Sequence, residues 1–157
     1  MTETAKKIEV LKEIAHRFNE DHVVWALGAS MLLYFKGIAS EFHDIDLMIS
    51  NDDVECVRSI LSEMGKIQPP NPNAKYQTKT FMEFTINAID VDVMAGFSIL
   101  SDGKLFDCSL QKNQIVEKMA LGSELIPLQS PSLWCEYYRL MGRTEKVKMI
   151  EQALSNQ

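Results

Sequence analysis

Two Asp-X-Asp pairs stand inside apolar, alternating runs: Asp44-Ile45-Asp46 leading into Leu47-Met48-Ile49, and Asp90-Val91-Asp92 between Ile89 and Val93. On a strand, residues i and i+2 share a face and lie roughly 6.5–7 Å apart, so each pair aims two carboxylates at one side. Hard carboxylate oxygens suit Mg²⁺, and two ions about 3.5–4 Å apart can clamp the attacking and leaving oxygens of an in-line phosphoryl displacement. Acidic residues on a strand are also commonly just its solvated face. Aspartate is a poor strand former, however, and clustered carboxylates repel unless a cation joins them, so the repeated pattern weighs toward a site. Gly28-Ala29-Ser30 is the second component. A small-residue turn into a helix N-terminus offers backbone N–H groups and the positive end of the helix dipole to a phosphate, with the Ser30 hydroxyl as a further donor. An ordinary N-cap role for Ser30 accounts for the same residues.

These side chains need elements to position them. Apolar residues at three- and four-residue spacing make Glu3 to Phe18 an amphipathic helix. Val23 to Leu27 is a short buried strand ended by Gly28, and Ser30 opens a helix that runs toward Gly37. Asp44 to Ile49 alternates with period two and reads as a second strand, with Ile45, Leu47 and Ile49 facing one way and Asp44, Asp46 and Met48 the other. Asn51 starts a helix over Asp52 to Met64 that Gly65 stops, and Pro69, Pro70 and Pro72 mark a loop. Lys75 to Ile86 and Ile89 to Met94 form two strands around an Asn87-Ala88 turn, and Asp102-Gly103 marks another hairpin. Ser130 caps a helix with Pro131 at its first position, running to Met141; Gly142 interrupts it, and Thr144 caps a last helix to Leu154.

With 157 residues, 46% of them hydrophobic and 24% charged, the chain suits one globular domain over 1–157, its core at 20–127 and its C-terminal helices at 130–155. No run is long and apolar enough to span a membrane, and the N-terminus lacks the apolar stretch of a signal peptide. Cys56, Cys108 and Cys135 are odd in number and widely spaced, which fits a reducing cytoplasm better than a disulfide framework or zinc site. The net charge of −6 argues against nonspecific nucleic-acid binding. A polyanionic substrate must therefore be met locally, by metal or by a few cations.

Taken together, Leu27-Gly28-Ala29-Ser30, Asp44-Ile45-Asp46-Leu47 and Val91-Asp92-Val93 resemble the nucleotidyltransferase superfamily that includes DNA polymerase β and the small antibiotic nucleotidyltransferases. The matching stretch covers Val23 to Met94. The resemblance implies an α+β fold, a mixed twisted β-sheet with flanking helices, and transfer of a nucleoside monophosphate from ATP or another nucleoside triphosphate to an acceptor hydroxyl. It also implies that Asp44 and Asp46 hold Mg²⁺, that Asp92 shares a metal and helps deprotonate the acceptor, and that Gly28, Ala29 and Ser30 hold the triphosphate. Three departures stand out. Ala29 replaces the usual Gly or Ser; Asp90 competes with Asp92, whose valine neighbours favour it; and Tyr138-Arg139, Arg143 and Lys146 only approximate the family's downstream basic element.

Arg139, Arg143 and Lys146 fall at four- and three-residue steps, so they can share one helix face and meet phosphates, although solvated cations near a helix end are as ordinary. His43 is left out of the site as a loop histidine beside acids. Trp25, Phe81, Phe84, Trp134 and Tyr137 could stack on a base, but each lies in an apolar run where core packing is the default. The expected acceptor is a small molecule or a protein hydroxyl. The alternatives are a catalytically silent nucleotide-binding or regulatory module of the same fold, and a phosphohydrolase using the Asp44-Asp46 pair. The latter needs that pair on the first strand and a hydroxyl residue soon after, whereas Met48 follows here.

Overall fold

The computed structural model describes residues 1–70 and 78–156. The chain opens with α1 (Glu3–Glu20), followed by β1 (Trp25–Gly28), α2 (Ala29–Phe35), β2 (Ile45–Ile49), α3 (Val54–Met64) and β3 (Lys66–Ile67). Then come β4 (Thr80–Ile86), β5 (Ile89–Ala95), the hairpin β6 (Ser98–Ser101) and β7 (Lys104–Asp107), β8 (Glu117–Leu121), β9 (Glu124–Leu128), α4 (Pro131–Leu140) and α5 (Thr144–Ser155). Seven strands form one sheet in the order β3-β4-β5-β2-β1-β9-β8, while β6 and β7 pair separately. The large sheet is mixed: β2 runs parallel to β5 and β1 parallel to β9, and the other neighbours are antiparallel. This is the expected α+β architecture.

Alternation on the central strands divides the sheet into two different faces. One carries Trp25 and Leu27 opposite Ile49 and Leu47, and continues through Val91 and Val93. There α1 and α3 pack, with Leu11, Ile14, Phe18, Val57 and Leu61 all buried. Phe18 meets Trp25 edge to face at 5.4 Å between ring centroids. Burying each such large apolar side chain stabilises the fold by about 1.5–3 kcal/mol, so this face carries much of the cohesion. The other face holds Gly28, Asp46, Asp92 and Glu83, and α4 covers its Gly28 end.

Several boundaries differ from the sequence expectations, for identifiable reasons. Ser30 is not a cap: Gly28 is the N-cap of α2, no side chain caps it, and Ser30 is the second residue of the helix. Thr144 likewise begins α5 behind Arg143 at the cap position. The helix expected from Asp52 begins with a 3₁₀ turn over Asn51–Asp53, because Ser50 caps it through the Asp52 N–H while the Asp53 carboxylate is drawn to the Val24 N–H at 2.9 Å. The strand expected from Lys75 is seen from Thr80; Lys75 and Pro72 lie outside the described residues. Strands β3, β8 and β9 were not anticipated. The Asn87-Ala88 and Asp102-Gly103 turns do form, all four residues at positive φ, as tight hairpin turns require. Ser130 caps α4 as expected, accepting from the Leu133 N–H at 3.1 Å.

Candidate active site

Asp46, on the central strand β2, pairs in register with Gly28 of β1 on one side and Asp92 of β5 on the other, and Asp92 pairs with Glu83 of β4. Register partners project on the same face, so Gly28, Asp46, Asp92 and Glu83 form one row, each about 4.8 Å from the next across the sheet. Asp44 sits just ahead of β2 at the same end. A cavity of about 260 Å³ opens over the row, and Asp44, Asp46 and Asp92 line it together with Ala29 and Ser30. From the C-terminal helices it gains Trp134, Tyr138, Arg143 and Lys146. Parts far apart in sequence thus converge on one space, and Gly28 sits directly behind the wall.

Asp90 lies elsewhere. It is exposed, pairs with Thr85, and lines a neighbouring groove of about 250 Å³ with Gln68 and Glu83. Asp44 and Asp92 border both spaces.

The carboxylates are held under electrostatic stress. Among the described residues none of Asp44, Asp46 and Asp92 accepts a hydrogen bond or joins an ion pair. Asp46 lies deep in the protein although it opens on the cavity; burial, and then the charges of Asp92 and Asp44, push its pKa well above the usual carboxylate range. Burial, followed by Asp44, Glu83 and Asp90, pushes Asp92 up to about 7. Asp44 is also raised by burial and by Asp90, with His43 and Lys7 opposing the shift. Such a set has the chemistry of a divalent-cation site, because one cation would offset both the desolvation and the mutual repulsion. Among the described residues, however, no three carboxylate, imidazole or thiol groups are gathered closely around a single point.

The turn that faces them is strained. Ala29 adopts φ +53°, a left-handed conformation that costs a residue with a Cβ about 1 kcal/mol or more. Gly28 is extended, and its lack of a side chain has a packing reason: a Cβ there would stand 2.6 Å from the Trp134 ring and 2.8 Å from Gln129 Oε1. The first N–H groups of α2 have no intrahelical partner, and among the described residues neither does the Ser30 hydroxyl have one.

The cations divide in two. Arg139 turns away to pair with Glu136 and Glu151 and is not part of the cavity. Arg143 lies over the Tyr138 ring at 5.7 Å and pairs with the exposed Glu145 at 2.9 Å. Lys146, half-buried, has no hydrogen-bond or ion-pair partner among the described residues.

Some of the lining was not legible beforehand. His43, set aside in the sequence, lines the cavity, and its position next to Asp44 was the available signal. Of the candidate aromatics, Trp25 and Phe84 belong to the core, whereas Phe81 and Trp134 reach the cavity, joined by Phe97. Nothing in the sequence marked Phe97. No helix among the described residues is long and apolar enough to cross a membrane.

No protein-family model and no curated protein matches the sequence. Solved structures do match in fold. A protein of Thermotoga maritima, provisionally classed as a nucleotidyltransferase, superimposes with a TM-score of 0.70 at 25% identity over 100% of this chain and 97% of that one. The antibiotic-resistance factor ANT(2'')-Ia gives 0.66 at 11% identity over 96% of this chain and 85% of that one. The lincosamide antibiotic adenylyltransferase LnuA, solved with lincomycin bound, gives 0.62 at 14% identity, covering 96% and 97% of the two chains. The first likeness supports an enzyme of the nucleotidyl-transferring class, and the other two show the fold. Over its whole length the chain thus has the fold of these nucleotidyltransferases, with its three motif segments meeting at one cavity.

Proposed function

We propose that this protein is a Mg²⁺-dependent nucleotidyltransferase that moves a nucleoside monophosphate from ATP or another nucleoside triphosphate to the hydroxyl of a small-molecule or protein acceptor. The observation that carries the reading is the single cavity in which Asp44, Asp46 and Asp92 meet Ser30, Arg143 and Lys146. Asp44, Asp46 and Asp92 would hold the metal, which when bound supplies positive charge to the triphosphate and lowers the acceptor's pKa. The Gly28-Ala29-Ser30 turn binds phosphate oxygens through its N–H groups and the Ser30 hydroxyl, and Lys146 and Arg143 neutralise the rest of the triphosphate.

In the reaction, the acceptor oxygen forms a bond to the α-phosphorus as the bond from that phosphorus to the β-phosphate bridge breaks, and pyrophosphate leaves. The acceptor's proton goes to a carboxylate. Asp92, in register beside Asp46 and lining the cavity, is the carboxylate placed to take it. The adjoining groove bordered by Glu83 and Asp90 favours an acceptor bearing positive charge. Small molecules are also the ligands named for the structural neighbours, adenylyl-2''-tobramycin with ANT(2'')-Ia and lincomycin with LnuA. A cytoplasmic location belongs to the same reading, supported by three unpaired cysteines.

The second reading, a nucleotide-binding module without turnover, is favoured by the incomplete basic element, in which Arg139 turns away to pair with Glu136 and Glu151. Incubating the protein with Mg²⁺, α-labelled ATP or GTP and a panel of amino-sugar and hydroxyl acceptors separates the two. Label transfer with matching pyrophosphate release is the expected result. Nucleotide binding with no pyrophosphate release across the panel would favour the silent module.

A further inference from the structure

Gln129 is the one polar or charged residue among the described residues that is completely buried. It follows β9, whose Leu128 pairs in parallel with Leu27 of β1, so it continues the row of Gly28, Asp46 and Asp92 by one more strand. Its backbone N–H reaches the Leu27 carbonyl at 3.3 Å. Its side chain lies over Gly28, and its Oε1 accepts a hydrogen bond from Trp134 Nε1 at 2.7 Å. An indole N–H can only donate, so this bond fixes which end of the amide faces it. Among the described residues, Nε2 is then left with no partner.

A buried donor without a partner is destabilising, and a methionine of similar length would fill the space without that cost. What glutamine supplies here is its oxygen. That oxygen orients Trp134, whose ring presses on Gly28, stacks on Phe97 at 5.9 Å and walls the cavity. The residue after Gly28 is the strained Ala29, a conformation that persists only where its surroundings enforce it. We infer that Gln129 is a positioning residue of the active site, a latch that through Trp134 holds the Gly28-Ala29-Ser30 turn in its phosphate-accepting shape. It touches no substrate.

The test pairs Gln129→Met with Trp134→Phe, singly and together. Hydrogen exchange of the amides from Gly28 to Leu33 reads the turn directly, and titration with a nonhydrolysable ATP analogue and Mg²⁺ reads its function. Each single variant should speed exchange in this segment more than elsewhere and weaken nucleotide binding about tenfold, the equivalent of one lost hydrogen bond. The double variant should be no worse than either, because both substitutions break the same bond. Unchanged exchange and affinity in the singles, or fully additive losses in the double, would overturn the latch. If Gln129→Met does not fold, Trp134→Phe carries the same test alone, since it keeps an aromatic ring while losing the donor and the part of the indole that lies against Gly28. The titration rests on the function proposed above, whereas the exchange measurement does not; wild-type protein that binds no nucleotide therefore removes that function and leaves the latch decided by exchange.

Discussion

Asp92 is pulled in two directions: its place in the row suits it to chemistry, while burial and three acidic neighbours make its ionisation costly. The sign of the pH effect follows directly. Its pKa rises from an ordinary 3.8 to about 7 in the fold, so the folded state binds the extra proton and stability is lost as pH climbs between those values. Asp92→Asn cannot ionise. In metal-free protein it should raise the melting temperature at pH 7.5 and leave it nearly unchanged near pH 3.5, while lowering transfer activity roughly 10²-fold or more. Equal melting temperatures at pH 7.5 would contradict the stress assigned to Asp92. A second residue-scale prediction concerns Gly28, where an added Cβ would meet the rigid Trp134 ring at 2.6 Å. Gly28→Ala should destabilise by about 1–3 kcal/mol in urea unfolding, a cost of overpacking independent of any ligand. At this scale each Asp-X-Asp pair was legible as one-sided from strand alternation, whereas Asp46 and Asp92 share a face only because β2 pairs with β5. Gln129 was not legible, because its partner Trp134 and its neighbour Gly28 reach it only through β9 and α4, and no motif records that.

Elements were legible where local chemistry determines them. Asn87-Ala88 and Asp102-Gly103 form turns at positive φ, and Ser130-Pro131 opens α4. Ala88 at φ +65° tolerates its turn less well than glycine would, so Ala88→Gly should stabilise the β4–β5 hairpin by up to about 1 kcal/mol, measured as a shift in the urea midpoint. A loss of stability would show that the Ala88 methyl makes contacts that outweigh the strain. Elements set by distant partners were not legible. Strand β8 is mostly exposed and opens with two charged residues, and β9 contains Pro127, which argues against a central strand. The structure accommodates the proline because β9 is in register with β1 at Leu128, so the missing N–H of Pro127 falls outside that pairing. The Ser30 cap was misjudged for a related reason: the strained Ala29 already belongs to the helix, and the cap position falls to Gly28.

At the scale of the whole molecule, the sheet gathers repulsion on one face and cohesion on the other. The resemblance to the nucleotidyltransferases implied a mixed sheet with flanking helices, but the order of its strands depends on β2 lying between β1 and β5, which no local signal specifies. That order sets Asp46 beside both Gly28 and Asp92. The cluster is part of a chain whose net charge is −6, so a divalent cation should stabilise the whole protein, and do so more where the carboxylates are ionised. Mg²⁺ at millimolar concentration should raise the melting temperature more at pH 7.5 than at pH 5, because raised pKa values leave the site partly protonated at the lower pH. An equal rise at both would point to nonspecific screening.

In the proposed function, the carboxylate row and the Gly28-Ala29-Ser30 turn act together as one metal-dependent nucleotide site. Calorimetric titration of a nonhydrolysable ATP analogue, with and without Mg²⁺, into wild-type protein and into Asp44→Asn with Asp46→Asn tests it most directly. The account predicts Mg²⁺-dependent binding in the wild type and its loss in the double variant, with the fold retained by circular dichroism. Binding of equal strength in the double variant, or binding indifferent to Mg²⁺ in the wild type, would contradict it.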